Sequence, residues 1–231
     1  MYDEPKFLPA GDCAMVVEIG DSISPETNRR VHGLLRAIEG RGLPEIVDLV
    51  PTYRSLLVQY NPMLASFEAM QESFAGLQAE AADADPDTTK VVEVPTLYGG
   101  KHGPDLDFVA EHNGLSPEEV VELHSETEYL VYMLGFTPGF PYLGGLSERL
   151  HAPRLETPRP ATPGGSVGIA EGQTGVYPVA SPGGWRIIGR TPLQLFDAER
   201  RPPSLLTAGD LVRFVPLTQD GDFQLPVGDG V

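Results

Sequence analysis

Residues 135–192 read GFTPGFPYLGGLSERLHAPRLETPRPATPGGSVGIAEGQTGVYPVASPGGWRIIGRTP, and this stretch decides the fold. Twelve glycines and nine prolines lie among these 58 residues, but large apolar residues are interleaved with them throughout. Disordered Pro/Gly linkers lack such apolar content because they have no core to bury. Glycine permits positive φ and close backbone approach, while proline fixes φ. We therefore predict a rigid, sharply bent backbone anchored in a core, and we expect the function to reside here.

Short strand candidates lie within this stretch and on both sides of it. They read EYLVYML, SVGIA, WRIIG, LQLF and LVRFVPL, separated by Gly/Pro turns. A strand-like VVEVPTLYG and two short helices precede them, and the second helix opens on a capping box formed by Ser116 and Glu119. Many short strands between tight turns indicate a closed barrel or a sandwich for residues 90–231.

Residues 1–84 have a simpler α/β pattern. Strand-like runs begin at Ala14, Ile46 and Ser55, a helix with Ser24 as N-cap ends at Gly40 or Gly42, and Asn61-Pro62 opens a second helix. The order βαββα predicts a ferredoxin-like half-open sheet with helices on one face. The stretch AEAADADPDTTK that follows carries four acids and one lysine without a large apolar residue, so we expect an exposed linker.

Composition excludes several classes of function. The chain has 33 acids and 16 bases, and its net charge of −17 argues against binding to nucleic acids or to anionic membranes. The single cysteine, Cys13, excludes an internal disulfide, and the histidines lack zinc-site spacing, so no metal site is expected. No apolar run is long enough to span a bilayer, and the first residues do not resemble a signal peptide. We expect a cytoplasmic protein.

Serine chemistry and P-loop nucleotide binding find little support among the motifs. Gly164–Gly168 matches G-x-S-x-G around Ser166, but all five histidines precede that serine and SVGIA has the pattern of a strand. A serine that caps a turn is the simpler interpretation. No P-loop is present.

Arginines are scarce in this acidic chain, so four of them beside the Gly/Pro-rich stretch are informative. Their guanidinium groups either brace loops or bind a carboxylate or phosphate, and prolines before Arg154 and Arg159 favour these two for binding. His124 ends a helix just before a strand, which suits either a helix-dipole partner or a proton carrier. Trp185 is most simply a core anchor.

Six segments together resemble a known family over nearly the whole chain. They are GDCAMVVEIG, PTYRSLLVQYNP, YMLGFTPGFPYLGGL, PRLETPR, GGSVGIAEGQTGVYPVASPGGW and IIGRTPLQLF. These segments are similar to the family of 5-oxoprolinase B subunits, also called allophanate hydrolase subunit 1, which includes Kip-type inhibitors of a histidine kinase. The resemblance implies an α+β protein with a small N-terminal domain and a cyclophilin-like β-barrel domain.

The resemblance also implies an activity and partners. The B subunit works with a homologous barrel protein, the C subunit, and with the A subunit; the complex opens 5-oxo-L-proline to L-glutamate while hydrolysing ATP. This chain would then be a non-autonomous part of an ATP-consuming amidohydrolase. A carboxyltransferase component that acts on urea or allophanate, and a kinase inhibitor, remain alternatives.

We predict a groove on the barrel that binds an anionic or amide-bearing ligand, formed by residues 135–146, 154–159 and 172–185. The catalytic candidates are His124, Arg154 and Arg159. The substrate-binding candidates are Phe136, Pro138, Gly139, Tyr142, Ser166, Gln173, Tyr177, Gly183, Gly184 and Trp185.

Overall fold

The computed structural model describes residues 2, 4–74, 77 and 90–218. Contacts within the chain divide it into two compact units, Met1–Thr88 and Thr89–Val231. Except for Lys90, the predicted linker lies outside the described residues. The domain limits at residues 84 and 90 therefore stay predictions.

The described residues of the first unit form a four-stranded antiparallel sheet with helices. Its strands have the order β1-β2-β4-β3. The elements in chain order are β1 (Lys6–Pro9), β2 (Ala14–Glu18), α1 (Pro25–Arg41), β3 (Ile46–Pro51), β4 (Ser55–Tyr60) and α2 (Phe67–Phe74). The predicted βαββα order is present from β2 onward, and the sequence pattern missed the edge strand β1. The ferredoxin-like classification stays a prediction.

Helix boundaries in this unit follow their caps. The Ser24 hydroxyl accepts a hydrogen bond from the Thr27 amide, and Gly42 ends α1 in the left-handed conformation, as predicted. The second helix begins later than predicted, at Phe67 rather than after Asn61. The Ser66 hydroxyl accepts from the Ala69 amide, while the Asn61 carbonyl accepts from the Leu64 amide in a separate turn. A cap at Ser66 therefore defines the start of the helix.

The second unit is a closed barrel of seven strands in the order β10-β7-β6-β13-β5-β12-β9. This result decides between the two predicted alternatives, barrel and sandwich. Strands β8 and β11 form a separate two-stranded sheet. The elements are β5 (Val91–Tyr98), α3 (Leu106–Asn113), α4 (Pro117–Ser125), β6 (Glu128–Leu134), β7 (Pro141–Gly144), a 3₁₀ turn (Glu148–Leu150), β8 (Arg159–Thr162), β9 (Ser166–Ala170), β10 (Gln173–Val176), β11 (Ser181–Gly183), β12 (Arg186–Arg190) and β13 (Leu211–Pro216).

One predicted strand is wrong. The LQLF segment forms no strand, and only an isolated bridge joins Phe196 to Ser204. The Arg200 guanidinium donates hydrogen bonds to the carbonyls of Gln194 and Leu195, and the Leu205 amide donates to the same Leu195 carbonyl. These few contacts close a loop and do not extend into a strand ladder. The Ser116–Glu119 capping box at the start of α4 is confirmed.

The barrel interior is a continuous apolar core. Alternate residues of the strands point into it, and α3 and α4 add Leu106, Val109 and Val120. The buried strand residues include Val94, Val131, Leu143, Val167, Ile169, Val176, Val212 and Phe214. Among the residues that the structure describes, no helix is both long enough and apolar enough to cross a membrane.

Candidate functional site

Two facing glycines form a flat floor on the outside of the barrel. Gly168 of β9 pairs with Gly175 of β10, and on either side Gly175 pairs with Tyr142 and Gly168 with Ile187. Because Val167 belongs to the interior core, Gly168 faces outward, as do the residues directly opposite it. The four residues thus make one row across β7, β10, β9 and β12.

Aromatic rings occupy the space that these glycines leave. A Cβ atom at Gly175 would lie 3.1 Å from both Phe140 Cζ and Trp185 Cζ3, and one at Gly168 would lie 3.2 Å from Trp185 Cβ. The same Cβ atoms would lie 2.9 Å from the Pro141 carbonyl oxygen and 3.1 Å from Ile187 Cδ1, respectively, so a larger residue at either position would displace backbone or packed side chains. The sequence predicted that glycines here permit close approach. At Gly168 and Gly175 the groups that approach closely include the rings and side chains of Phe140 and Trp185.

The rings form an outer aromatic cluster of Phe140, Tyr142, Tyr177 and Trp185. Phe140 lies at its centre, with ring centroids 5.0 Å from Tyr142, 5.2 Å from Tyr177 and 5.4 Å from Trp185, all in edge-to-face geometry. Each such pair stabilises by about 0.5–1.5 kcal/mol beyond its burial. The cluster is therefore a rigid wall beside the predicted groove.

Phe136 is the exposed exception beside this cluster. Its side chain is 62% exposed, and its φ is +67°, which is rare for a bulky residue. Its ring lies edge-on to Phe140 and Tyr177, at 5.6 and 6.4 Å. Such backbone strain is of order 1–3 kcal/mol and concentrates at functional sites. In the same turn Pro138 is exposed, and Gly139 has a φ of +78° and packs against Phe196.

Arg159 is held by an internal clamp around Trp185. Its Nη2 donates to both carboxylate oxygens of Asp105 at 2.8 Å, and its Nη1 donates to the Trp185 carbonyl at 3.2 Å. Asp105 Oδ2 also accepts the amide proton of Ile187 at 2.6 Å. The ion pair therefore fixes the backbone that follows Trp185, on both sides of Arg186.

Sequence reasoning missed Asp105. Its carboxylate is buried although it precedes α3, where an acid is ordinarily an exposed helix cap. The available signal was Gly103, because a Cβ there would collide with the Ile188 carbonyl and the glycine thus brings this segment against β12. Spacing alone did not connect Asp105 to an arginine 54 residues later.

Two more of the four arginines brace loops. Arg186 Nε donates to the Pro153 carbonyl at 3.0 Å, and its guanidinium carbon lies 3.5 Å from the centre of the Phe108 ring. Arg190 Nε donates to the Gly164 carbonyl at 2.8 Å. The loop-bracing alternative therefore describes these two residues.

Arg154 differs from the other three. It is exposed, and within the described part of the chain it makes no hydrogen bond or ion pair. Burial raises the pKa of Tyr142 and of Tyr177, and the positive charge of Arg154 opposes both increases. The Arg154 guanidinium thus lies near the two phenols, and the Leu155 amide ties its backbone to the Gly184 carbonyl at 2.8 Å. This arginine is available to a ligand beside the aromatic cluster.

His124 lies inside the barrel rather than in the groove. Its side chain is fully buried, Nδ1 lies 2.8 Å from the Tyr98 hydroxyl, and Nε2 lies 2.8 Å from the Thr174 hydroxyl. Burial lowers its pKa to about 3, so the ring is neutral at pH 7. These surroundings favour a structural role, and the predicted proton transfer remains untested.

The remaining predicted residues lie at the margins of the cluster. Gln173 begins β10 opposite Ala170, and Ala170 packs with the aromatic rings. A Cβ at Gly183 would collide with the Tyr177 hydroxyl, whereas Gly184 has ordinary contacts. Ser166 begins strand β9 and is 2% exposed, so it lacks the strand–turn–helix setting of a nucleophilic serine.

Residues 5–206 match the family model described as "Carboxyltransferase domain, subdomain C and D". The chain belongs to this carboxyltransferase-domain family. It is 45% identical over 219 residues to the 5-oxoprolinase B subunit of Bacillus subtilis (strain 168), covering 90% of this chain and 91% of that relative. It is 44% identical over 206 residues to the 5-oxoprolinase B subunit of Escherichia coli O157:H7, covering 89% and 93%. The family identified from the sequence motifs is confirmed.

A solved structure shows the same fold as this family member. The urea carboxylase of Kluyveromyces lactis superposes with a TM-score of 0.76 at 23% identity, over 95% of this chain and 22% of that chain. At this identity the likeness concerns the fold alone. Among the residues that the structure describes, no group of three or more His, Cys, Asp or Glu side chains could hold a metal ion.

Proposed function

We propose that this chain is the B subunit of an ATP-dependent 5-oxoprolinase, which opens 5-oxo-L-proline to L-glutamate together with the A and C subunits. The observation that carries the proposal is the 45% identity to a protein named as the B subunit of 5-oxoprolinase, with about nine-tenths of each chain aligned. An alignment of that length reaches well into both units of the chain.

The groove chemistry supports a ligand that carries both a carboxylate and an amide. Arg154 supplies a planar guanidinium group suited to one carboxylate. The Tyr142 phenol is protonated at pH 7, and burial raises its pKa further, so its hydroxyl can donate a hydrogen bond to a lactam carbonyl. Tyr177 is buried behind it and supports this wall. The outer aromatic cluster offers an apolar wall for the ligand ring.

Arg154 is the binding residue in this proposal, and Arg159 is a support. Arg159 already uses its guanidinium on Asp105 and on the Trp185 carbonyl, so a ligand would have to displace a partly buried ion pair. The predicted substrate-binding residues that lie beside the outer aromatic cluster are still proposed to bind the substrate.

ATP is consumed by the assembled complex in this proposal. A triphosphate ordinarily needs several cationic or amide donors, and the groove offers the single guanidinium of Arg154. We therefore assign Arg154 to the substrate carboxylate and assign no ATP-binding group to this chain. The barrel would be cyclophilin-like and the complex cytoplasmic, as the sequence predicts.

Partner binding is placed at the turn that carries Phe136. An exposed aromatic ring in a strained backbone, next to the exposed Pro138, is a suitable anchor for the apolar pocket of another protein. We propose the homologous C subunit as that partner. The chain alone would then be inactive.

A carboxyltransferase component acting on urea or allophanate is the second candidate. The description of the matching family, a carboxyltransferase domain, favours it. Such a reaction also develops negative charge on oxygen, which Arg154 would stabilise. The kinase-inhibitor role remains a prediction.

Reconstitution tests the proposed function. The purified A and C subunits from the same organism are mixed with this chain and supplied with ATP and 5-oxo-L-proline, and glutamate release is measured. We expect ATP-dependent glutamate only when all three proteins are present. Equal glutamate release without this chain would contradict the proposal, and carboxyl transfer to urea with a biotin carboxylase would favour the second candidate.

A further inference from the structure

His124 is a buried titratable group that the proposed chemistry does not use. The Thr174 hydroxyl, 2.8 Å from His124 Nε2, also donates to the Gly168 carbonyl at 3.1 Å. A hydroxyl has one proton, so Thr174 Oγ1 must accept the proton of Nε2. His124 Nδ1 then carries no proton and accepts the Tyr98 hydroxyl at 2.8 Å.

These contacts form a chain with one proton order, from Tyr98 through His124 and Thr174 to Gly168. His124 and Thr174 are fully buried and Tyr98 is partly buried. The Tyr129 hydroxyl fixes the His124 backbone by donating to its carbonyl at 2.9 Å. The Phe214 ring packs against the imidazole with centroids 4.4 Å apart. The chain therefore has a defined geometry and ends at the glycine floor of the groove.

The glycine floor needs a constraint of this kind. Gly168 and Gly175 face each other across β9 and β10, so no pair of side chains packs between the strands at that point. The core residues Val167 and Ile169 specify the register of β9, but the glycine pair between them adds no side-chain contact that would hold the Gly168 peptide in place. The bond from Thr174 to the Gly168 carbonyl joins the same two strands.

We propose that His124 is a positioning residue for the groove. By fixing the proton order of the Thr174 hydroxyl, it holds the peptide of Gly168 in position opposite Gly175, beneath Phe140 and Trp185. The role is exerted from inside the barrel, and no ligand contacts the imidazole. The expected effect of this positioning role on turnover rests on the proposed function. The expected effect on the position of Gly168 and Gly175 does not.

The proton order is tested in the wild-type chain by ¹⁵N-resolved NMR of the imidazole. We expect the neutral form with the proton on Nε2 at pH 7. A proton on Nδ1, or a charged ring, would overturn the proposal without any substitution.

The link to the floor is tested with three variants. Thr174→Val keeps the shape and removes the hydroxyl, Thr174→Ser restores it, and Tyr98→Phe breaks the chain at its far end. Amide hydrogen exchange is measured for residues 166–176, relative to residues 211–216 of β13 in the same sample. Emission from Trp185, the single tryptophan of the chain, reports on the cluster above the floor.

We expect Thr174→Val to accelerate exchange of residues 166–176 by about 10- to 100-fold, because it removes a buried bond, and to shift Trp185 emission. Thr174→Ser should restore both, and Tyr98→Phe should stay within about threefold of wild type. Equal effects of Thr174→Val and Tyr98→Phe would overturn the positioning role and leave a general packing role.

Activity of the reconstituted complex is a separate readout. A rise in KM with little change in kcat for Thr174→Val would support a displaced binding floor. A complex that has no 5-oxoprolinase activity at all would contradict the proposed function, while exchange and emission would still decide the positioning role.

Discussion

The four arginines near the predicted groove differ in the hydrogen bonds that their guanidinium groups already make within the protein. The guanidinium of Arg159 is used on Asp105 and Trp185, and those of Arg186 and Arg190 on backbone carbonyls. Arg154 alone among these four keeps its donors for a ligand, as far as the described residues show. The sequence predicts that arginines gather here but cannot tell them apart, because each partner comes from a distant segment.

A pH effect follows from the buried imidazole. The pKa of His124 is about 3 in the folded chain and near its ordinary value of 6.5 when unfolded. Below pH 6.5 the imidazole is protonated in the unfolded state but stays neutral in the folded state. The free energy of unfolding therefore falls by about 1.4 kcal/mol per pH unit towards pH 3. Above pH 6.5 this group adds no pH dependence to stability.

Urea unfolding at pH 7.5 and pH 5.5 measures this effect. We expect the wild type to lose about 1.4 kcal/mol more than His124→Gln between the two pH values, since glutamine does not titrate. Equal losses in the two proteins would show that the imidazole is accessible or already charged.

At the scale of elements, a glycine allows strand β11 to pack closely against the aromatic cluster. Gly183 lies against the Tyr177 hydroxyl, and Gly184 next to it has room for a Cβ at 3.7 Å from its nearest neighbour. These adjacent residues are therefore a matched pair for testing the packing.

We expect Gly183→Ala to lower stability by about 1–3 kcal/mol and to change Trp185 emission, because the added methyl must displace a buried tyrosine. Gly184→Ala should change both by little. Thermal unfolding and fluorescence of the two variants provide the comparison. If both alanines are tolerated equally, the close approach of Tyr177 to β11 is wrong.

The sequence predicted strands and helix caps more successfully than it predicted which residues contact each other in the folded chain. SVGIA and EYLVYML are strands β9 and β6, and the caps at Ser24 and Ser116 are where the pattern placed them. Short strands such as β8 and β11 were missed because three or four residues rich in Gly and Pro show no alternation. The pairing of Asp105 with Arg159 was missed because it depends on tertiary folding.

At the scale of the whole molecule, two properties bear on partner choice: the exposed turn around Phe136 and the net charge of −17. Two copies of such an acidic chain repel each other, so a different protein is the favoured partner. The strained backbone at Phe136 also has a measurable consequence for stability.

We expect Phe136→Gly to leave the melting temperature unchanged or slightly higher, because glycine adopts a φ of +67° without strain. The same variant should weaken association with the C subunit, since it removes the proposed aromatic anchor. Size-exclusion chromatography of the mixed proteins gives the readout, with Val179→Ala as a control at another exposed apolar residue. Unaltered co-elution of Phe136→Gly would place the interface elsewhere.

The rate of ATP-dependent glutamate release by the reconstituted complex carrying Arg154→Lys tests the central claim most directly. A lysine keeps the charge but loses the bidentate fork, so we expect kcat/KM to fall roughly 10- to 150-fold. The melting temperature should stay at the wild-type value because Arg154 is exposed, whereas Arg159→Lys should lower it by breaking the clamp on Asp105. Wild-type kcat/KM in the Arg154→Lys complex would contradict the assignment of the outer aromatic cluster and Arg154 as the binding site.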